Sequence, residues 1–158
     1  MSAIAINEMN APADYETPVS GWWDGAEHLF PIRVYYADTD AGRVVYHARY
    51  LDFAERARTE LMRTLDTDRI YRTDGEGLLF VVRSAQIDYR KPAVLDDVLT
   101  VRTRLLRIGG ASFTIEQQIW RRDEVLAILT ITLVCVRAMG HPTRIPEALR
   151  EKIAGLIG

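Results

Sequence analysis

Residues 33–63 read RVYYADTDAGRVVYHARYLDFAERARTELMR, and this stretch decides the fold. Its second half carries apolar side chains three and four residues apart, with charged side chains between them. Such spacing places one apolar stripe along a helix, which we predict over residues 47–65. The stripe consists of Tyr46, Tyr50, Phe53, Ala54, Ala57 and Leu61. Two members of the stripe are alanines, so the helix axis can lie close to a sheet.

Strand signals fill most of the chain around this helix. Short runs of β-branched and aromatic residues that are bounded by Pro, Gly or charged turns predict strands. The predicted strands cover residues 31–36, 78–90, 99–105, 112–120 and 125–136. A proline followed by apolar residues at helical spacing predicts a short C-terminal helix over residues 145–157. The fold class is therefore α+β, with one antiparallel sheet and one long central helix.

The chain has 158 residues, which is the size of one domain. Residues 1–27 show no sustained period, so we expect a loosely ordered N-terminal extension there and a single domain over residues 28–158. Apolar residues occupy more than one face of residues 78–82 and 126–136, and one helix does not cover both faces of a sheet. We therefore expect a second subunit, with a homodimer as the minimum assembly.

Composition and charge argue against several classes of function. The net charge is −2, which gives no field to attract nucleic acid. The sequence has one cysteine, Cys135, and its histidines His28, His47 and His141 lie far apart, so we expect no disulfide, no metal site and no cofactor. The apolar run at residues 125–136 is too short for a transmembrane segment. Acidic residues interrupt the N-terminal region where a signal peptide would be apolar, so we expect a cytoplasmic protein.

Two aspartates lie ahead of the predicted helix in the motif DTDAG, residues 38–42. Aspartates at such positions commonly cap helices or hold turns, and Asp38 fits that role. Asp40 lies too far ahead of His47 to cap a helix that begins there. A carboxylate folded back over the helix N-terminus would lie beside unbonded N–H groups, which also suit an oxyanion. Asp40 is therefore a candidate for the hydrolysis of an activated acyl group.

The stretch at residues 33–63 closely resembles the signature of the hot-dog-fold acyl-CoA thioesterases related to 4-hydroxybenzoyl-CoA thioesterase. The likeness is closest to the YbgC-type branch, which is associated with the bacterial Tol–Pal envelope system. It extends to FVVR, to the Tyr-x-x-Pro step in DYRKPAVLDD and to VCV near the end, and so covers residues 30–146. The resemblance implies a five-stranded antiparallel sheet wrapped around the central helix. It also implies homodimers or homotetramers with active sites at subunit interfaces.

The resemblance assigns roles to residues of the motif. It implies that Asp40 is the catalytic carboxylate and that the backbone N–H at His47 polarises the thioester carbonyl. The His47 side chain has two interpretations, a general base or a support that orders the loop. Tyr46 and Tyr50 are expected to pack or to line the substrate pocket, because a tyrosine pKa of about 10 suits neither an acid nor a base at neutral pH. Many relatives carry a second glycine where this chain has Arg43.

The reaction has two routes that the sequence does not separate. Asp40 either attacks the thioester carbonyl directly or deprotonates a water molecule. The expected substrate is an acyl-CoA, and a thioester of acyl carrier protein is the other candidate. Basic side chains are expected to meet the CoA phosphates. The candidates are Arg83, Arg90, Lys91, Arg137 and Arg144.

Two other functions compete with thioester hydrolysis. One is a non-catalytic acyl-thioester-binding or scaffold protein of the Tol–Pal envelope system, which would keep the fold without turnover. The other is a hot-dog dehydratase, which would need an Asp/His pair on a different strand–helix arrangement. The intact motif argues against both alternatives.

Overall fold

The computed structural model describes residues 20–65, 77–137 and 140–157, and within those ranges it contains one sheet and two helices. The helices are α1 (Arg49–Thr64) and α2 (Glu147–Ala154), and a 3-10 turn covers Tyr36–Asp38. The predicted α+β class is confirmed. The strands are β1 (Trp22–Asp24), β2 (Glu27–Arg33), β3 (Leu79–Tyr89), β4 (Val98–Ile108), β5 (Ser112–Arg121) and β6 (Glu124–Val136).

The six strands of the described ranges follow the order β1-β2-β4-β5-β6-β3, and neighbouring strands run antiparallel. The prediction of five strands is therefore wrong by one strand, β1. Gly25, with a φ of 58°, lets the chain turn sharply so that Trp22 pairs with Leu29. A strand of three residues is too short to show a period in the sequence, which is why it was missed.

The strand β1 lies within residues 1–27, the segment for which the sequence predicts a loose extension. The imidazole of His28 holds the start of this segment, because its Nε2 donates a hydrogen bond to the Ser20 carbonyl at 2.7 Å. Because β1 covers Trp22–Asp24 and β2 starts at Glu27, the sheet begins before residue 28. Residues 1–19 lie outside the described residues.

The helix α1 begins at Arg49 rather than at residue 47. The cause is a backbone turn at Tyr46. The Tyr46 N–H donates to the backbone oxygen of Asp38 at 2.9 Å, and the backbone oxygen of Tyr46 accepts from the Arg49 N–H at 2.8 Å. Tyr46 is thereby held outside the apolar stripe, with 45% of its surface exposed. The remaining members of the predicted stripe are buried, and α1 packs on β2, β4 and β5.

A buried glutamine joins α1 to the sheet. Gln117 in β5 is fully buried, and its Nε2 donates to the backbone oxygen of Ala54 at 2.9 Å and to the Thr103 hydroxyl at 3.1 Å. A buried amide group costs free energy unless it finds hydrogen-bond partners. The small side chain of Ala54 lets the glutamine reach the helix backbone, so the bond fixes the helix where close approach was predicted.

The strand β3 forms one edge of the sheet and pairs with β6 on one side. Most of its 11 residues are exposed, including the apolar Leu79, Val81 and Val82. The register shifts between Val82 and Ser84, so Arg83 forms a β-bulge. Within the described ranges no strand covers the other side of β3. This edge therefore has unpaired backbone groups that another strand could bind.

The helix α2 packs on β4 and buries Leu149 and Ile153. It lies within residues 145–157, where the sequence predicts a short C-terminal helix. Neither α1 nor α2, the helices of the described ranges, has the combination of length and apolar character that crossing a bilayer demands.

Candidate active site

The aspartate motif folds into a tight hairpin, residues 39–45, which we call the motif loop. Thr39 and Val45 pair at its base as an antiparallel bridge. At its tip, the backbone N–H of Arg43 donates to the backbone oxygen of Asp40 at 2.9 Å. The loop therefore has a defined shape immediately ahead of α1.

Arg43 adopts a φ of 61°, in the left-handed region that favours glycine. A residue with a Cβ pays about 1–2 kcal/mol for this conformation, because the Cβ approaches the following carbonyl oxygen. A glycine at this position would adopt the same φ without that cost. Arg43 keeps the turn of the motif loop at a cost in stability, and its side chain is exposed.

The first aspartate of the motif holds the chain on either side of the loop. Asp38 is buried, and its carboxylate accepts a hydrogen bond from the Tyr35 N–H at 2.8 Å. Its backbone oxygen accepts from the Tyr46 N–H at 2.9 Å. The predicted role of Asp38 as a turn-forming residue is confirmed.

The second aspartate, Asp40, is exposed in the single chain. Its Oδ1 accepts a hydrogen bond from the Gly42 N–H at 2.8 Å, which closes an Asx turn inside the motif loop. A Cβ on Gly42 would lie 3.0 Å from that oxygen, so glycine leaves the carboxylate room. Within the described ranges no cation pairs with Asp40, which keeps the carboxylate available to a ligand.

The start of α1 has unbonded N–H groups next to the motif loop. The N–H groups of Tyr46, Arg49 and Leu51 each donate to a backbone oxygen. The N–H groups of His47 and Ala48 have no hydrogen-bond partner among the described residues. Unbonded donors at a helix N-terminus carry a partial positive charge and can stabilise an oxyanion. The backbone N–H of His47, the donor that the resemblance implies, is thus free in the single chain.

A cavity of about 290 Å³ opens beside the helix start. Its lining is aromatic and apolar with a basic rim. The lining residues are Val45, His47, Tyr50, Tyr89, Arg90, Lys91 and Pro92.

Two tyrosines fix the inner wall of this cavity. Tyr50 is buried, its hydroxyl oxygen accepts a hydrogen bond from the Ala93 N–H at 3.0 Å, and burial raises the pKa of its phenol. The Tyr89 hydroxyl donates to the backbone oxygen of His47 at 2.8 Å. The two tyrosine rings meet edge to face with centroids 5.4 Å apart. The phenol of Tyr50 is therefore neutral near pH 7 and serves as a wall and an anchor.

The structure brings some of the predicted site residues together. His47 and Tyr50 both line the cavity. Tyr46 packs against the His47 ring with centroids 4.5 Å apart, but it does not line the cavity. Asp40 does not line it either, and its carboxylate bonds within its own loop.

The sequence reasoning missed Tyr89 as a site residue. The Tyr-x-x-Pro step is part of the family resemblance, but the resemblance assigns no role to its tyrosine. The available signal was the position of Tyr89 at the end of the predicted strand, three residues before Pro92. The structure shows that this step supplies one wall of the cavity and a bond to the helix start.

Two of the predicted CoA-contacting residues lie at the cavity. Arg90 and Lys91 line it, and they pair with Asp88 at 3.0 Å and with Glu124, respectively. The other candidates do not line it; they are Arg83, Arg137 and Arg144. The described residues contain no group of three or more His, Cys, Asp or Glu side chains arranged to hold a metal ion.

A family model for the thioesterase superfamily matches residues 42–128, which is more than half of the chain. This chain belongs to the thioesterase superfamily. The matched part of this thioesterase includes the whole cavity lining, from Val45 to Pro92.

Individual proteins similar to this thioesterase support its assignment to the superfamily. It is 49% identical over 107 residues to the acyl-CoA thioesterase YbgC of Haemophilus influenzae, covering 68% of this chain and 79% of that protein. It is 33% identical over 129 residues to the long-chain acyl-CoA thioesterase FadM of Escherichia coli, covering 80% and 96%. A solved structure of a probable thioesterase from Bartonella henselae matches with a TM-score of 0.73 and 41% identity, over 76% of this chain and 99% of that one. The resemblance to the YbgC-type hot-dog thioesterases is confirmed.

Proposed function

We propose that this thioesterase hydrolyses acyl-CoA thioesters to a free acid and CoA. The observation that carries the proposal is that Asp40, a carboxylate without a cation partner among the described residues, lies in the motif loop directly ahead of α1, where the N–H groups of His47 and Ala48 are free. The printed names of the YbgC and FadM relatives support an acyl-CoA as the substrate.

The proposed chemistry uses the helix start as an oxyanion site. The thioester oxygen accepts from the His47 N–H, and negative charge that develops on it is stabilised by the helix N-terminus. Asp40 either attacks the carbonyl carbon or removes a proton from an attacking water. In the first route an Asp40–acyl anhydride forms as the thiolate of CoA leaves, and water then hydrolyses the anhydride. In the second route the tetrahedral adduct collapses directly to acid and thiolate.

The proposed active unit is a homodimer at least, and a homotetramer is the larger candidate. Two observations support it: β3 is an exposed apolar edge with unpaired backbone groups, and Asp40 is exposed in the single chain. Tyr89 ends β3 and bonds to His47, so a subunit that pairs with β3 would lie next to the cavity. Such a subunit would cover the site and exclude water from it.

The proposed site for the CoA phosphates is the basic rim of the cavity. Arg90 and Lys91 contribute positive charge there, and Arg90 is half exposed, so phosphate oxygens can reach it. Their carboxylate partners, Asp88 and Glu124, are also at least partly exposed, which makes exchange of partners inexpensive.

The test is a comparison of Asp40→Asn with wild type on a panel of short, long and aromatic acyl-CoAs, with release of free thiol as the readout. We expect turnover to fall on the order of 10²-fold or more while the circular dichroism spectrum and the molecular mass stay unchanged. Asp24→Asn, an exposed change in β1, is the matched control and should keep full turnover. Wild-type turnover in Asp40→Asn would refute the assignment of the carboxylate.

The same panel separates the competing functions. A scaffold protein would bind acyl thioesters without releasing thiol, even as wild type. Thioesters of acyl carrier protein are assayed beside the panel, and turnover on them with none on the acyl-CoAs would identify acyl carrier protein as the carrier.

A further inference from the structure

The connection between β3 and β4, residues 90–97, holds the motif loop from both sides. Before the motif loop, the Val34 N–H donates to the backbone oxygen of Asp97 at 2.9 Å, and the Val34 backbone oxygen accepts from the Asp96 N–H at 3.1 Å. At the last residue of the motif loop, the Val45 N–H donates to the backbone oxygen of Ala93 at 2.8 Å. The path of the chain through Asp40 is therefore set by this connection.

The same connection also holds the first turn of α1. The Ala93 N–H donates to the hydroxyl of Tyr50 at 3.0 Å, and Ala93 is fully buried. One residue thus bonds the motif loop through its oxygen and the helix through its N–H. A shift of the connection would move the carboxylate and the oxyanion donors relative to each other.

The guanidinium of Arg121, at the turn between β5 and β6, holds this connection in place. Arg121 Nη1 lies 2.7 Å from Asp97 Oδ2 and donates to the Pro92 oxygen at 3.3 Å. Its Nη2 lies 2.6 Å from Glu124 Oε2. The same Asp97 oxygen accepts from the Val94 N–H at 2.9 Å, so both ends of the connection are bonded through this pair.

We propose that Arg121 is a positioning residue for the reaction of this thioesterase. Among the described residues it makes no hydrogen bond to the motif loop, and it meets the cavity lining through the backbone oxygen of Pro92. It acts through the 90–97 connection on Val34, Val45 and Tyr50. The planar fork of arginine suits this task because it can bond two carboxylates and a carbonyl at once. A lysine ammonium does this less well. The inference rests on the proposed function for its kinetic part.

The expected kinetic effect of Arg121→Gln is a loss in kcat with little change in KM. A misplacement of about 1 Å can cost about 10²-fold in rate, and partial loosening should cost about tenfold. The cavity wall and its basic rim remain in the variant, so binding common to the ground and transition states is kept. Arg121→Lys keeps the positive charge and should recover part of the lost kcat.

The experiment compares three variants with wild type: Arg121→Gln, Arg121→Lys and Arg122→Gln. Arg122 is the exposed neighbour on the same turn and serves as the matched control. Steady-state kinetics on an acyl-CoA that wild type hydrolyses give kcat and KM. Hydrogen exchange gives a second readout that needs no turnover, from the amides of Val45, Ala93 and Val94.

In Arg121→Gln we expect those amides to exchange about tenfold faster than in wild type, while core amides of β5 keep their protection. Arg122→Gln should match wild type in both readouts. Unchanged exchange together with unchanged kcat in Arg121→Gln would overturn the proposal. If wild type itself releases no thiol, the proposed function fails, and the exchange comparison alone decides whether Arg121 positions the connection. If Arg121→Gln does not fold, Arg121→Lys carries the same comparison.

Discussion

The hydroxyl of Tyr89 donates a hydrogen bond to the backbone oxygen of His47 at 2.8 Å. This bond joins the last residue of the exposed edge strand to the turn that precedes α1. It therefore links the edge where a second subunit is proposed to bind with the amides proposed to bind the thioester oxygen.

Removal of this hydroxyl gives the first prediction. We expect Tyr89→Phe to lower the free energy of unfolding by about 0.5–1 kcal/mol, as for the loss of one partly exposed hydrogen bond. We also expect a lower kcat, because the turn at His47 loses a tether. Denaturant unfolding and steady-state kinetics measure the two effects. Tyr36→Phe, at an 82% exposed tyrosine, should change neither quantity, and an unaltered kcat in Tyr89→Phe would argue against the tether.

The strained backbone of the motif loop gives the second prediction. Arg43→Gly should raise the free energy of unfolding by about 1 kcal/mol, because glycine adopts the φ of 61° without a steric cost. Urea unfolding at fixed pH measures the change. Arg56→Gly, at an exposed position inside α1, loses the same side chain and should lower the stability by about 1 kcal/mol. A loss of stability in both variants would contradict the role of the left-handed conformation.

The buried histidine of β2 gives a prediction on pH. Burial lowers the pKa of His28 from its ordinary value of 6.5, against the opposing effects of its bond to Ser20 and of the charge on Glu60. The folded state therefore binds fewer protons than the unfolded state just below pH 6.5. The contribution of His28 to stability is present above pH 6.5 and is lost as the pH falls through the lowered value.

Urea unfolding measured from about pH 7.5 down to about pH 5 checks this dependence. The decline in stability below pH 6.5 should be weaker in His28→Gln, whose amide can still donate to Ser20. His141→Gln, at an exposed histidine, should keep the wild-type decline. Identical pH profiles for His28→Gln and wild type would show that His28 does not titrate between the two states.

The edge strand gives the fourth prediction. Val82→Arg should produce a monomer with little turnover, because a charged side chain on the apolar edge disfavours the second subunit. Light scattering should give wild type a multiple of the 18.0 kDa chain mass. Leu106→Arg, on a comparably exposed apolar side chain of β4, should keep the wild-type mass. A Val82→Arg protein with wild-type mass would place the subunit contact elsewhere.

The sequence predicted the parts of the fold that carry a long period. The stripe from Tyr50 to Leu61 is buried as expected, because five regularly spaced apolar side chains leave a helix one way to face a core. The strand β1 was missed because three residues cannot show a period, and Gly25 alone is too weak a signal to predict the turn between β1 and β2. Tyr46 was placed on the helix because its spacing fits, but backbone bonds to Asp38 and Arg49 hold it in the turn.

The candidate site was predictable only in its local part. Asp38, Asp40 and His47 share one short motif, which indicated Asp38 and Asp40 by their place ahead of the helix and His47 through the family resemblance. Tyr89 reaches the site from the far end of β3, and Arg121 acts from the end of β5. Such long-range contacts depend on the order of strands in the sheet, which the sequence pattern of each strand does not specify.

The bulge at Arg83 interrupts the edge strand with a charged, exposed side chain and a local twist. An uninterrupted apolar edge could recruit one chain after another into a growing fibril. A strand that is kinked in its middle offers a poor template for such unlimited stacking, yet still permits a closed two-fold pair. This single inserted residue therefore makes β3 a poorer template for amyloid-like stacking than a regular strand of the same length would be.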